Sequence, residues 1–268
     1  MKQLIVNADD YGRTQGVSSG IRRAHINGIV TSTSVLMNMP SVLDDLQMLN
    51  EECPKMGVGV HLVLTKGEPV LASTKTSSLV SSSGEFFSVH EDLQIFDSFN
   101  FGDLYAEWKA QIEKALTTGI QIDHLDSHHH ISYFHERAFE IMLRLAEEYQ
   151  VPIRSLPPND DFPDAEKSLH SREKRALDQS SVRHPGSVIT TFYDQSVGLD
   201  QLISILNDLP EGTHELMCHP GYADEEIRSG SIYNIKREHE LGILTNQKVK
   251  EVIHSQHIGL IRFSEILK

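Results

Sequence analysis

Short apolar segments alternate with amphipathic helical segments along the whole chain, and this alternation restricts the possible folds more than any other feature. Strands are predicted at 4–6, 29–37, 57–64, 120–125, 152–156, 187–193, 215–218 and 258–263. Strands that alternate with helices are typical of parallel βαβ units. The 268 residues suit one β/α barrel, which needs about 250 residues. We therefore predict an α/β fold with seven to eight parallel strands in a single domain, 1–268.

Helices are predicted between these strands from apolar spacing and capping residues. They fall near 14–26, 41–49, 101–118, 135–149, 199–209, 233–244 and 247–257. The clearest has Leu104, Trp108, Ile112 and Leu116 at steps of four, which indicates one buried face. Two segments lack this alternation of strands and helices. The stretch 159–185 is polar and is assigned no helix, and 66–100 is interpreted as a loop insertion near the site, with a mobile surface insertion as the alternative.

The overall charge narrows the range of partners. The formal net charge is −14, which repels phosphate backbones and anionic lipids, so nucleic acid and membranes are poor partners. No apolar stretch approaches the roughly 20 residues of a membrane span. Only two cysteines occur, Cys53 and Cys218, which indicates a reducing compartment. We expect a cytoplasmic protein, and a homodimer because that is the commonest oligomer.

Polar residues fall where the predicted strands end. Asp9 and Asp10 follow the first strand, His61 lies near the end of the third, and His128 and His219 follow two later ones. The carboxyl ends of barrel strands converge on one face, where active sites form. Residues far apart in the sequence should therefore meet there.

Two imidazoles and one carboxylate, from His61, His128 and Asp10, suit a catalytic divalent metal with open coordination positions. Asp126 shares a strand side with His128 and could accept a hydrogen bond from an imidazole. Asp9 and Asp10 would point to opposite sides of a regular strand. Both can serve one site only if the backbone bends between them.

Each feature also has a structural explanation without catalysis. A single histidine such as His61 in an apolar strand is usually a core residue, and Asp9-Asp10 before Tyr-Gly often only forms a turn. The triple histidine 128–130 is the stronger indication of a metal. The positions of these residues in the sequence are therefore compatible with a metal hydrolase on a β/α scaffold, and the structural explanations stay open beside it.

Five ordered motifs resemble the YdjC-like carbohydrate deacetylases, a family that includes chitooligosaccharide (diacetylchitobiose) deacetylases. The motifs are NADDYG at 7–12, GIVTSTS at 28–34, GVHLVLT at 59–65, HLDSHHH at 124–130 and MCHPG at 217–221. The resemblance covers nearly the whole chain and is least clear at about 66–100 and 155–185.

This resemblance implies a distorted TIM-like barrel of the polysaccharide-deacetylase type and a hydrolase that deacetylates N-acetylated sugars. It implies Mg²⁺ or a similar ion, with Zn²⁺, Mn²⁺ and Co²⁺ as alternatives, held by Asp10, His61 and His128. It further implies Asp9 as the general base and His219 as the general acid. Arg154, just past a strand end, is a candidate for orienting Asp9.

Two other functions stay open. One is a different metal-dependent amidase or phosphoesterase on the same scaffold, although Arg13 is the only cation immediately beside the motifs and a phosphate would want more. The other is a sugar-binding protein without catalysis, which need not hold a stoichiometric ion.

Overall fold

The computed structural model of the protein describes residues 1–88, 93–157 and 167–266. Seven strands occur within these ranges, and all of them pair in parallel. They are β1 (Lys2–Tyr11), β2 (Ser32–Val35), β3 (Gly57–Leu62), β4 (Ile122–Ser127), β5 (Ser187–Ile189), β6 (Gly212–Cys218) and β7 (Gly259–Leu260). The prediction of an α/β fold with a parallel sheet is confirmed.

Helices follow most of the strands. They are α1 (Gln15–Asn27), α2 (Val42–Glu52), α3 (Phe101–Leu116), α4 (Glu136–Tyr149), α5 (Lys167–Gln179), α6 (Leu199–Asn207), α7 (Glu225–Gly230), α8 (Ile235–Leu244) and α9 (Gln247–Ser255). The side chain of Thr14 caps α1 by accepting a hydrogen bond from the amide of Val17. That cap supplies an acceptor for one of the free amides at the start of a helix.

The sheet has the order β4-β3-β2-β1-β6-β5, and β7 pairs with the beginning of β1. An isolated parallel bridge joins Leu125 of β4 to Ile153, so the strand predicted at 152–156 is reduced to one bridged position. Within the described ranges no strand pairing connects this side of the sheet to β5. The fold is thus a barrel-like parallel sheet with a gap, which agrees with a distorted barrel.

Apolar residues on both faces explain why β1 lies at the centre of the sheet. Leu4, Ile5 and Val6 are fully buried, as expected for a strand of a parallel sheet covered on both sides. On α3, Trp108 and Ile112 are fully buried. Helix and sheet surfaces therefore enclose the main apolar core between them.

Two helices were not predicted. Helix α5 lies inside the polar stretch 159–185, where only three of its residues are buried, and α7 is a six-residue helix too short to produce a helical period. The described part of 66–100 holds short 3-10 turns at Ser73–Lys75 and Leu93–Ser98. No helix in the described ranges has the length and apolar character that crossing a membrane requires.

Candidate active site

The structure brings the five predicted site residues together at the carboxyl ends of the strands. Asp9 and Asp10 lie in the last three residues of β1, and His61 is the penultimate residue of β3. His128 follows β4 directly, and His219 follows β6 directly. All five line one pocket. The convergence expected of parallel strand ends therefore occurs.

A bend in β1 lets both aspartates face this pocket. The backbone of Asp10 has a φ of +75°, and the pairing of β1 with β2 shifts register between Ala8 and Tyr11. Among residues other than glycine, aspartate is one of the few that adopts this left-handed region readily. The irregularity removes the alternation that would otherwise turn one carboxylate away from the other.

Asp10, His61 and His128 form the candidate metal centre. One ligand atom from each lies within 4.8 Å of the other two, and all three side chains are buried. Oδ1 of Asp10 is 3.0 Å from Nδ1 of His128 and 3.7 Å from Nε2 of His61. Two imidazole nitrogens around one carboxylate oxygen are a donor set that fits a divalent ion with open positions.

Asp126 orients the ring of His61. Nδ1 of His61 donates to Oδ1 of Asp126 across 2.7 Å, which leaves Nε2 directed toward Asp10. Burial acts to lower the pKa of His61, but the nearby carboxylates, first Asp126 and then Asp9 and Asp10, together raise it above its ordinary value. This is the carboxylate–histidine pairing that commonly supports a ligand imidazole.

A second group of possible ligands, Asp9, His61 and Asp126, is equally compact, but its geometry disfavours a cation. The guanidinium of Arg154 lies within 3.0 Å of both carboxylates. A dication there would have to share the oxygens with a fixed positive charge. The set around Asp10 is the better metal site.

Arg154 holds the candidate base. It donates to both oxygens of Asp9, at 2.8 and 2.6 Å, and its Nε donates to Glu215 at 2.7 Å. Burial and the charge of Asp126 act to raise the pKa of Asp9, but the charge and hydrogen bonds of Arg154, together with the charge of His61, lower it below its ordinary value. Asp9 is therefore an ionised, rigidly held carboxylate.

Glu215 completes this buried cluster from the middle of β6. It is fully buried, and burial raises the pKa of Glu215 to about 7 although Arg154 opposes the shift. The guanidinium of Arg154 thus forms ion pairs with three buried carboxylates, those of Asp9, Asp126 and Glu215.

Arg237, from α8, holds the carboxylate of Asp10 as Arg154 holds that of Asp9. Its guanidinium donates to Oδ2 of Asp10 at 2.5 Å, so Oδ1 is left for the two imidazoles. Burial acts to raise the pKa of Asp10, but Arg237 and then His128 lower it well below its ordinary value. The carboxylate is charged, as a metal ligand must be.

His219 faces Asp9 across the pocket. Its Nε2 lies 4.0 Å from Oδ2 of Asp9, and burial lowers the pKa of His219 to about 4. The turn that carries it packs tightly on α1, where a Cβ on Gly20 would come within 2.4 Å of the Cα of Gly221. Only a glycine permits that approach.

The pocket has a volume of about 900 Å³, which is ample for a small sugar. Among the described residues, the cations that line it are Arg13, Lys66 and Arg237. The sequence motifs pointed to Arg13 alone. Lys66 comes one residue after the nearest motif, and Arg237 lies on a helix that contains no motif. Tyr193 and Ile232 add apolar surface at the rim.

Several neighbours of the candidate site residues were not found by the sequence analysis. Arg237, Glu240 and Tyr233 lie in or beside α8, where nothing in the helical pattern distinguishes them from surface residues. Glu215 did leave a signal, since a charge inside a strand predicted as buried needs a partner.

Comparisons with known proteins agree with this geometry. The family model described as "YdjC-like protein" matches residues 3–255. A carbohydrate deacetylase of Thermoanaerobacter pseudethanolicus is 37% identical over 268 residues, covering 100% of both chains. A carbohydrate deacetylase of Enterococcus faecalis is 33% identical, covering 99% of this chain and 98% of the relative.

Solved structures share the fold. One from Enterococcus faecalis V583, named as a proposed cellobiose-phosphate cleavage protein, superposes with a TM-score of 0.88 at 32% identity, covering 100% of this chain and 99% of the other. The Xyl-CE4 domain of a xylanase from a Trinervitermes trinervoides hindgut metagenome gives a TM-score of 0.53 at 8% identity, covering 99% and 89%. This second likeness concerns the fold alone.

Proposed function

We propose, from the premise that the chain belongs to the family of YdjC-like proteins, that it is a divalent-metal-dependent deacetylase of N-acetylated carbohydrates. Relatives named carbohydrate deacetylase match along its full length, so it is a hydrolase of this class. The narrower proposal is that chitooligosaccharides such as diacetylchitobiose are substrates, with acetate and a free amino sugar as products.

One observation supports the proposal above the others. The compact set Asp10, His61 and His128 lies on the wall of a sugar-sized pocket, beside an ionised carboxylate and an imidazole that are 4.0 Å apart. Amide hydrolysis needs an electrophile for the carbonyl, a base for water and an acid for the leaving nitrogen. The pocket holds a candidate for each.

The proposed chemistry divides among these side chains. A divalent ion held by Asp10, His61 and His128 would polarise the acetamide carbonyl and lower the pKa of water. Asp9, fixed by Arg154, takes a proton from the attacking water. His219 delivers a proton to the sugar nitrogen as the C–N bond breaks, so water adds across the amide and acetate leaves.

The low pKa of His219 is compatible with an imidazole that receives a proton during the reaction and passes it on to the leaving nitrogen. With a pKa of about 4, the imidazole is neutral near pH 7 before reaction. Asp9 lies 4.0 Å from Nε2 of His219, and this contact has to shorten to hydrogen-bond distance in the substrate complex before the proton that Asp9 receives from water can pass to the imidazole. Protonated His219 is then a strong acid toward the departing nitrogen.

Further properties are proposed on weaker support. We propose that the chain acts as one domain, 1–268, in the cytoplasm, for which its two buried free cysteines, Cys53 and Cys218, are the support. A homodimer remains a prediction, checked by sedimentation equilibrium. Mg²⁺ is the proposed ion on family grounds, although imidazole ligands favour later transition metals.

The proposal is tested by acetate release from N,N′-diacetylchitobiose. The purified protein is assayed as isolated, after chelation, and after addition of Mg²⁺, Zn²⁺, Mn²⁺ or Co²⁺. We expect release that is lost with chelator and restored by at least one ion. Phosphate release from sugar phosphates is measured in parallel, because a phosphoesterase on this scaffold would give that product instead.

Variants assign the roles. His219→Ala is expected to lower turnover by about 10²–10⁴-fold, and His254→Ala, at an exposed position of α9, should leave it unchanged. Full turnover by His219→Ala under saturating metal would remove the acid role. No acetate with any ion, from folded protein that binds metal, would reject the chitobiose assignment and direct the search to other acetylated sugars.

A further inference from the structure

The orientation of His219 is not set in the usual way. An imidazole that transfers protons at Nε2 is commonly held by a carboxylate or carbonyl at Nδ1. Here Nδ1 of His219 is buried and has no hydrogen-bond partner within the described ranges. Some other contact must keep the ring aimed at the pocket.

Glu240 supplies part of that contact. It is fully buried on α8, and its Oε2 accepts a hydrogen bond from the backbone amide of His219 at 2.5 Å. Its other oxygen accepts the hydroxyl of Tyr233. One carboxylate therefore fixes the backbone from which the imidazole projects and the position of a neighbouring aromatic ring.

The ring of Tyr233 packs directly on the imidazole. The two rings meet edge to face, with centroids 5.7 Å apart and planes at 65°. Tyr193 stacks on Tyr233, at 4.5 Å and 16°, and its ring also contacts the imidazole, with the centroids of Tyr193 and His219 5.2 Å apart. Edge-to-face contacts of this kind have a preferred geometry and so restrict rotation of the ring.

We infer that Glu240 and Tyr233 are positioning residues for His219. Glu240 fixes the backbone amide of His219, and the ring of Tyr233 packs on the imidazole. Together these contacts orient the ring in place of a hydrogen bond at Nδ1. This inference rests on the proposed function, since it requires His219 to protonate the leaving nitrogen. It also explains why a carboxylate is buried on α8, where the donors bound to it within the described ranges are a backbone amide and a tyrosine hydroxyl.

Two variants test the inference. Tyr233→Phe keeps the ring but removes the hydroxyl that fixes it to Glu240. Glu240→Gln keeps the shape but offers one oxygen to two donors, so one donor faces an amide NH₂. Both are expected to lower kcat for acetate release from diacetylchitobiose by about tenfold or more, with KM and metal content close to those of the wild type.

The diagnostic readout is the dependence on the leaving group. Nitrophenolate leaves from p-nitrophenyl acetate without protonation, whereas an amine must be protonated. The chelator-sensitive hydrolysis of this ester should therefore fall much less than amide hydrolysis in Tyr233→Phe, Glu240→Gln and the benchmark His219→Ala. A merely structural role would lower both reactions together.

The chain offers a matched control. Tyr105 donates to Glu148 at 2.8 Å on the outer surface between α3 and α4, so Tyr105→Phe removes a similar bond away from the pocket and should alter neither reaction. Equal losses on ester and amide in Tyr233→Phe would overturn the inference while His219→Ala still shows the selective loss. Wild-type protein that releases no acetate from any amide would instead overturn the proposed function, and the inference with it.

Discussion

Arg237 and Asp10 form a buried ion pair that divides the two carboxylate oxygens between separate partners. The guanidinium binds Oδ2 at 2.5 Å, and Oδ1 lies 3.0 Å from the imidazole of His128. Since Arg237 comes from α8 and Asp10 from β1, a helix late in the chain fixes the orientation of a candidate ligand at its beginning.

Arg237→Met is expected to weaken metal binding by about 10–100-fold, the usual effect of removing a partner that orients a ligand. Removing the positive charge would by itself favour a dication, but the loss of a fixed carboxylate should outweigh it. Calorimetric titration with Zn²⁺ and Mn²⁺ measures the affinity. Tighter binding in the variant would show that the guanidinium acts mainly as a competing cation.

Asp126→Asn should also weaken metal binding, by about 10–100-fold, because the amide is a poorer acceptor for Nδ1 of His61. The same titration measures it. Asp123→Asn is the matched control, since Asp123 accepts from Nδ1 of His124 at 2.6 Å on the same strand, but His124, unlike His61, does not line the pocket. A similar loss of affinity in both variants would contradict a specific role for Asp126.

Arg154→Met should lower the free energy of unfolding by about 3–5 kcal/mol, because it leaves buried carboxylates without their shared cation. Urea unfolding measured at pH 7 tests this. Arg144→Met removes an exposed ion pair with Glu148 and should cost less than about 1 kcal/mol. If the two variants were equally stable, the buried cluster would not depend on Arg154.

The sequence was sufficient to predict that the candidate site residues converge on one face. Parallel strands end on one face, so Asp9, His61 and His128 could be placed together from their positions in the chain. The bend at Asp10 was not predictable from strand alternation, because alternation assumes a regular backbone. The bend was only recognised as a condition that the site would require.

The supporting residues could not be predicted for a different reason. Arg237 and Glu240 are charged residues on an amphipathic helix, and such residues usually face solvent. Their burial depends on how α8 packs against α1 and how its side chains reach Asp10 and His219, which is a tertiary relationship that no local pattern contains.

Glu173 on α5 provides a test of pH dependence away from the pocket. It is 1% exposed, and neither oxygen has a hydrogen-bond partner within the described ranges. Burial, and then the charge of Glu136, raise the pKa of Glu173 from 4.5 to about 9. The folded protein therefore retains a proton at pH 7 that the unfolded chain releases.

Because the folded-state pKa is the higher one, the contribution of Glu173 to the free energy of unfolding is fully present below pH 4.5 and is lost as the pH rises toward 9. The slope is at most about 1.4 kcal/mol per pH unit. Glu173→Gln imitates the protonated acid and cannot ionise, so its stability relative to wild type should increase from pH 5 to pH 8. Urea unfolding at both values measures the difference, with exposed Glu251→Gln as control. A constant difference between variant and wild type would mean that Glu173 ionises freely in the folded state.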